Sequence, residues 1–499
     1  MHTKATPATR AVLLVAIICS TAFLAWTPFR PVTARSSAGR TTTIVTRQPV
    51  QDPNFLLVLT DDMGWGDLAV YGHPEIATPE IDRLASEGQL FTQFYSMSPV
   101  CSPSRVSFLT GRFPAELDIR SAISPNPQTN QQWNQADYLD SDFYTVMDHV
   151  KSVGYVTGLY GKWHLGSVEQ APDPGEYGID EHQTVNSTGP RLARTGSNLT
   201  HAFGITNSAV DEALLFLDRH RSERFFLTVW TTLPHTVLDP TEEQAAPYMH
   251  LKAPGVPDRG AKAVYYAAIS ELDRQVGRLL EKLDELNLAD TTMVLLASDN
   301  GPENSHVFNA THSGIGSAGP FRGSKRSLYE GGVRMPLIVR LPGTTPPGSV
   351  NDSVVAAVDL LPTIAGLVGE PVPGNVILDG EDVSEAFAGA TRQRDAPLHW
   401  ESEYIIGYVP FQGRSPTLAM RDGPWKLLMN PDGQRLEFFN IQDDPEERLD
   451  LALSADPAVQ KKIGEMRYEL LLWRSGLTQN VPPLNTGDDG WDWPKPSSE

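Results

Sequence analysis

Four short apolar runs end abruptly in polar residues. "NFLLVLT" leads into Asp61-Asp62, and "YVTGLY" into Gly161-Lys162-Trp163-His164. "RFFLTVW" leads into "TTLPH", ending at His235, and "TTMVLLAS" into Asp299-Asn300-Gly301. A fifth run, "MPLIVRL", follows "RGSKRSLYEGGVR", which contains Lys325. Continuous apolar runs of this length predict strands buried on both faces. Between them lie helical patterns. In "AVYYAAISELDRQVGRLLEKLDEL", Ile269, Leu272, Val276, Leu279 and Leu283 recur at helical spacing. Strands alternating with helices predict an α/β fold, with a mainly parallel central sheet and helices on both faces. Such sheets bind ligands beyond the carboxyl ends of their strands. Asp61, Asp62, Lys162, His164, His235, Asp299 and Asn300 therefore converge on one edge.

The pattern changes near residue 397. "TLAMR", "WKLLMN" and "RLEFFNI" are short strands separated by Asp422-Gly423-Pro424 and Pro431-Asp432-Gly433. They predict an antiparallel meander. Asp456-Pro457 then opens a helix whose apolar face carries Val459, Ile463, Met466, Leu470 and Trp473. This is a small C-terminal α+β subdomain over 397–480, after a main domain over 52–396, with a polar tail over 481–499. At the other end, Lys4 and Arg10 precede an apolar run from Ala11 to Trp26. The run is shorter than the roughly 20 residues that span a bilayer. Residues 1–34 read as a secretory signal and 35–51 as a polar linker, with a signal anchor as the rival. The expected location is periplasmic or secreted, with no stable membrane span once the signal is removed. Its removal also leaves Cys101 as the only cysteine, so no internal disulfide can form.

Composition adds one constraint. The 499 residues carry a formal net charge of -21. That argues against general nucleic-acid binding. Any anion site must be locally positive, and Lys162, His164, His235 and Lys325 supply that charge. Asp61, Asp62, Asp299 and Asn300 are all oxygen donors. Three carboxylates at one sheet edge repel unless a cation sits among them, and hard oxygen donors suit Ca2+ or Mg2+ better than zinc. Taken singly, each pair also reads as a turn or a helix cap. Cys101 opens "CSPSRVSFLTGR", where Pro103 suits a first helical turn and Gly111 a helix end. A helix N-terminus favours anionic oxygen.

"CSPSRVSFLTGR" resembles the signature of the type I, formylglycine-dependent sulfatases, arylsulfatase-like members of the alkaline-phosphatase-like superfamily. "GYVTGLYGKWHLG" resembles their second signature, and the resemblance spans roughly Phe55 to Trp425. It implies that Cys101 is oxidised to formylglycine by a formylglycine-generating enzyme. It implies a Ca2+ site (Mg2+ possible) from Asp61, Asp62, Asp299, Asn300 and the modified Cys101. Arg105 is implied to stabilise the aldehyde hydrate and His164 to partner its second hydroxyl. Lys162, His235 and Lys325 are implied to clamp sulfate, with His235 protonating the leaving oxygen. The implied reaction is attack of one diol oxygen on sulfur, release of the alcohol, then expulsion of sulfate. The substrate is a sulfated small molecule or glycan. Two alternatives stay open: a phosphodiesterase or phosphonate monoester hydrolase on the same scaffold, and an inactive protein that binds sulfated glycans. Trp133, Trp163, Trp230 and Trp400 are candidates to line a pocket, with core packing as the alternative. Two long polar insertions, "PNPQTNQQWNQADYLDSD" and "APDPGEYGIDEHQTVNSTGPRLARTG", are the expected carriers of specificity.

Overall fold

The first apolar run forms β1 (Asn54–Asp61), buried along its whole length, near the middle of a nine-stranded sheet. The computed structural model describes residues 52–166, 168–186, 201–252, 260–303, 311–402 and 414–477. The expected signal, the whole of the linker, the tail and part of the second long insertion lie outside the described residues. The other strands of the large sheet are β2 (Gln89–Tyr95), β3 (Val156–Lys162), β4 (Glu181–Val185), β5 (Phe225–Pro234), β6 (Thr292–Ser298), β7 (Arg334–Arg340), β8 (Ser349–Asn351) and β9 (Val355–Ala356). They lie in the order β4-β3-β5-β1-β6-β7-β2-β8, with β9 beside β2. β4, β3, β5, β1 and β6 pair in parallel. β7 runs antiparallel to both its neighbours, β6 and β2, so it alone is reversed.

Alternate side chains of β1 go to different cores. Phe55, Leu57 and Leu59 join the cluster that holds Val106, Phe108 and Leu109 of the helix Cys101–Thr110. Leu56 and Val58 join the one that holds Ile269, Leu272 and Val276 of the helix Ala261–Glu285. With period-two side chains packed on both sides, the strand has no polar face, and that is why it reads as a continuous apolar run. The five predicted helix positions from Ile269 to Leu283 are all buried.

The C-terminal meander is present as β10 (Leu398–Glu401), β11 (Leu418–Asp422), β12 (Trp425–Met429) and β13 (Glu437–Asn440), all antiparallel. One of its faces, with Leu398, Trp400, Ala419, Leu428 and Phe439, belongs to the large core. The other packs Leu418, Met420, Leu427 and Phe438 against Ile463, Met466 and Leu470 of the helix Pro457–Ser475. Asp456 caps that helix by accepting from the Ala458 N–H. Among the described residues no helix is long and apolar enough to cross a membrane.

Candidate active site

Asp61 is the last residue of β1, and Lys162 the last of β3. Asp62 and His164 follow these strands with left-handed backbones, at φ 66 and φ 58. His235 comes just after β5, and Asp299 and Asn300 just after β6. Lys325 lies ahead of β7 in the chain. Because β7 is reversed, its start lies at the same edge as the ends of the parallel strands. The Lys325 N–H accordingly donates to the Pro302 carbonyl at 2.9 Å. The helix Cys101–Thr110 begins at Cys101 itself, so Pro103 falls in its first turn. It stops at Gly111, whose φ of 69 is the left-handed cap that glycine takes without strain.

These residues form one buried charge cluster. The Lys162 ammonium donates to both Asp61 oxygens, at 2.8 and 2.7 Å. Lys325 donates to both Asp62 oxygens at 2.6 Å. Arg105 holds Asp299 Oδ2 from Nε at 3.0 Å and from Nη2 at 2.7 Å, and its Nη1 donates to the Lys162 carbonyl at 3.0 Å. The Asp62 N–H donates to Asp299 Oδ1 at 3.1 Å. Asn300 Nδ2 donates to Asp62 Oδ1 at 2.8 Å. Cys101 Sγ lies 3.4 Å from Asp61 Oδ1 and 3.8 Å from Asp62 Oδ1. His235 Nε2 stands 3.8 Å from Asp62 Oδ2, while its Nδ1 meets the Thr236 carbonyl at 2.7 Å.

The electrostatics follow from burial and sign. Burial pushes the Cys101 thiol far above its ordinary range, against the pull of Lys162 and Lys325. An unmodified side chain there is a neutral thiol. Burial also raises the Asp299 carboxyl, to about 6, with Arg105 opposing. For Asp62 burial works upward too, but Lys325, His235 and Lys162 together hold it well below the carboxylate range. Burial drives His235 down to about 4 although Asp62 favours its charge. His164 is held well below its ordinary value by burial and by Lys162 and Arg105, and its Nδ1 is buried without a partner among the described residues.

The donor set fits a hard cation. Asp61, Asp62, Cys101 and Asp299 each offer one ligand atom, all within 4.8 Å of one another. Asn300 Oδ1 is buried and receives no hydrogen bond from the described residues. An orphaned amide oxygen beside three carboxylates is what a Ca2+ or Mg2+ ligand set offers, and the set contains no imidazole.

Four residues support the cluster, and three of them, Ser104, Asp67 and Glu303, escaped the sequence reading. Ser104 Oγ donates to the Asp299 carbonyl. Trp230, stacked on Trp163 at 5.9 Å, carries Arg105 over its ring at 5.2 Å. Asp67 accepts from the Gly64 and Ser317 N–H groups and from the Tyr265 hydroxyl, tying the loop after Asp62 to the segment that leads toward Lys325. Glu303 pairs with Arg326 and lies 3.9 Å from Lys325. Only Trp230 had drawn notice, as a pocket candidate. It is buried, as are Trp163 and Trp400, whereas Trp133 is half-buried.

Comparison with known proteins agrees with this geometry. The family profile described as Sulfatase matches residues 53–370. A second, described as N-sulphoglucosamine sulphohydrolase, C-terminal, matches residues 319–475. The chain is 33% identical over 378 residues to N-acetylgalactosamine-6-sulfatase of Canis lupus familiaris, covering 70% of this chain and 68% of that protein. Among solved structures it resembles Ps i-CgsB in complex with k-i-k-neocarrahexaose, with a TM-score of 0.70 and 27% identity over 84% of this chain and 93% of that one. The phosphonate monoester hydrolase of Agrobacterium radiobacter shares the fold, with a TM-score of 0.60 and 20% identity over 86% of this chain and 97% of that one. By profile, relatives and fold, this chain belongs to the sulfatase family of the alkaline-phosphatase-like superfamily, and it is a sulfuric ester hydrolase.

Proposed function

We propose that the protein is an exported sulfatase that releases inorganic sulfate from sulfated carbohydrate or aryl esters, with Cys101 working as formylglycine. The observation that carries this is the setting of Cys101. Its side chain is buried, neutral as a thiol and 3.4 Å from Asp61, and it opens a helix beside two lysines and an arginine. A thiol so placed is a poor nucleophile, whereas conversion to an aldehyde supplies a hydrated oxygen nucleophile at the same point. Asp61, Asp62, Asp299, Asn300 and the modified Cys101 would hold Ca2+, or Mg2+, which neutralises charge on the transferring group.

The chain's own residues do the rest. Arg105, fixed by Asp299 and the Lys162 carbonyl, holds the converted side chain in place, and His164 partners its second hydroxyl. Lys162 and Lys325 present ammonium groups to the sulfate oxygens, which gain charge in the transition state. His235 gives a proton to the departing oxygen. On this reading residues 52–396 are the catalytic domain and 397–480 a supporting subdomain, after a signal over 1–34 and a linker over 35–51, with a tail over 481–499. A formylglycine-generating enzyme is the maturation partner.

Mass spectrometry of the Val100–Arg112 peptide from active protein tests the proposal, alongside sulfate release from nitrophenyl sulfate and a panel of sulfated sugars. The peptide should show replacement of CH2SH by CHO at Cys101, and Cys101→Ala should end turnover. Full activity in protein that carries only the thiol would sink it. Metal analysis after dialysis should find a hard cation near one per chain, and stoichiometric zinc would contradict the ligand set.

A further inference from the structure

Arg326 occupies a backbone position that suits glycine. Its φ is 71, inside the left-handed region that L side chains seldom adopt. Such strain persists where the surroundings impose it, and it clusters at functional sites. The surroundings here are specific. The Arg326 N–H donates at 2.8 Å to the carbonyl of Pro99, two residues before Cys101. The preceding residue, Lys325, is anchored on Asp62 and on the Pro302 carbonyl. The side chain therefore stands on the rim of the catalytic cluster, and its charge acts on Asp62, Cys101 and Lys325.

Its guanidinium is paired with a carboxylate on one side only. Nη1 pairs with Oε1 of Glu303, a carboxylate that is itself 5% exposed. Nε and Nη2 have no acceptor among the described residues, and the side chain is 19% exposed. Glycine here would satisfy the backbone, and Glu303 would keep Lys325 as a neighbour at 3.9 Å. A purely structural loop gains little from arginine at this point. A fixed guanidinium with open N–H groups, beside a sulfate site, is a fork for a second oxyanion.

We propose that Arg326, oriented by Glu303, is a specificity-determining residue that binds a second anionic group of the substrate, a carboxylate or another sulfate, next to the ester that is cleaved. This rests on the sulfatase reading of the same site and names its substrate class: saccharides with at least two acidic groups. Lys325 holds the scissile group and Arg326 the neighbouring one.

The test compares Arg326→Gly with the parent on three matched sugars, one bearing a single sulfate, one an added sulfate and one an added carboxylate. Arg326→Gly suits the backbone, and Arg326→Lys keeps the charge without the fork. The readout is kcat/KM for each doubly charged sugar divided by that for the single sulfate. Charged hydrogen bonds of this kind are worth about ten- to hundredfold. The ratio should fall by about that factor in at least one arm of Arg326→Gly, mainly through KM, and Arg326→Lys should recover part of it. The arm that falls identifies the anion. An unchanged ratio in both arms would overturn the proposal. Calorimetric binding of the same sugars to Cys101→Ser protein, with and without Arg326→Gly, reads the same ratio without turnover. A parent that bound these sugars but released no sulfate would thus count against the hydrolytic reading alone.

Discussion

His235 meets the Thr236 carbonyl through Nδ1, which fixes that nitrogen as the donor. A proton for a leaving group must then travel on Nε2 of the imidazolium, the nitrogen facing Asp62. The importance of His235 should depend on what leaves. A sugar alkoxide needs protonation in the transition state and a nitrophenolate hardly does, and general acid catalysis contributes about 10²–10⁴-fold. His235→Ala should therefore slow sugar-sulfate turnover far more than nitrophenyl-sulfate turnover, while Lys162→Ala should slow both. Equal losses in His235→Ala would leave it a sulfate-binding group only. Asp67 gives a separate prediction in stability. Burial raises its carboxyl to about 7, although Tyr265 and two backbone N–H groups oppose the shift. The folded state thus binds this proton more tightly than the unfolded chain. The stabilisation is fully present below about pH 3.8, the unfolded value, and it is lost as pH rises through about 7. The contribution is on the order of 4 kcal/mol. Comparing denaturation of the parent with Asp67→Asn from pH 4 to 8 should show the parent losing more. Parallel curves would mean that Asp67 titrates normally.

At the scale of elements, one buried knot joins the small sheet to the segment that carries Lys325. Lys426 of β12 lies 2.8 Å from Glu330 and 3.0 Å from Glu447, all fully buried, and the Glu330 N–H donates to Glu447 at 2.7 Å. Lys426→Met takes the ammonium from both carboxylates; Glu330 keeps Arg334 at 3.3 Å and the Tyr95 hydroxyl, while Glu447 loses the cation it faces, and breaking such a knot costs about 3–5 kcal/mol. Urea titration should show that loss, and adding Glu447→Gln should return part of it. Neither the knot nor its reach toward Lys325 was legible in the sequence. The strand ends were, because β1, β3, β5 and β6 are buried on both faces and their apolar runs stop where the site begins. β2 and β4 were not, since "QLFTQFY" carries polar residues into a mostly buried strand and "EHQTV" into a half-buried one. The site residues were legible as polar endings after apolar runs and through the Cys101 signature. Ser104, Asp67, Glu303 and Arg326 were not. Their roles come from partners far away in the chain or from a backbone angle, and neither leaves a local pattern.

Over the whole molecule, a formal charge of -21 surrounds a site built for anions. An anionic substrate approaches against that field and meets the lysines only at close range. Raising ionic strength to about 0.1 M, where the screening length is about 10 Å, should increase kcat/KM for multiply sulfated sugars. A steady decrease would mean that the local positive field governs encounter. The sheet order has another consequence, in time rather than space. β6 lies between β1 and β7, and Asp299, just beyond it, supplies the carboxylate and carbonyl that grip Arg105 and Ser104. Until that strand is made, the two flanks of the sheet have nothing to join them, and the Cys101 helix has no clamp. About 200 residues separate Cys101 from Asp299, which takes roughly 10–40 s of synthesis at about 5–20 residues per second. If Cys101 is converted as proposed, a modifying enzyme would have that interval in which to reach its side chain before β6 arrives.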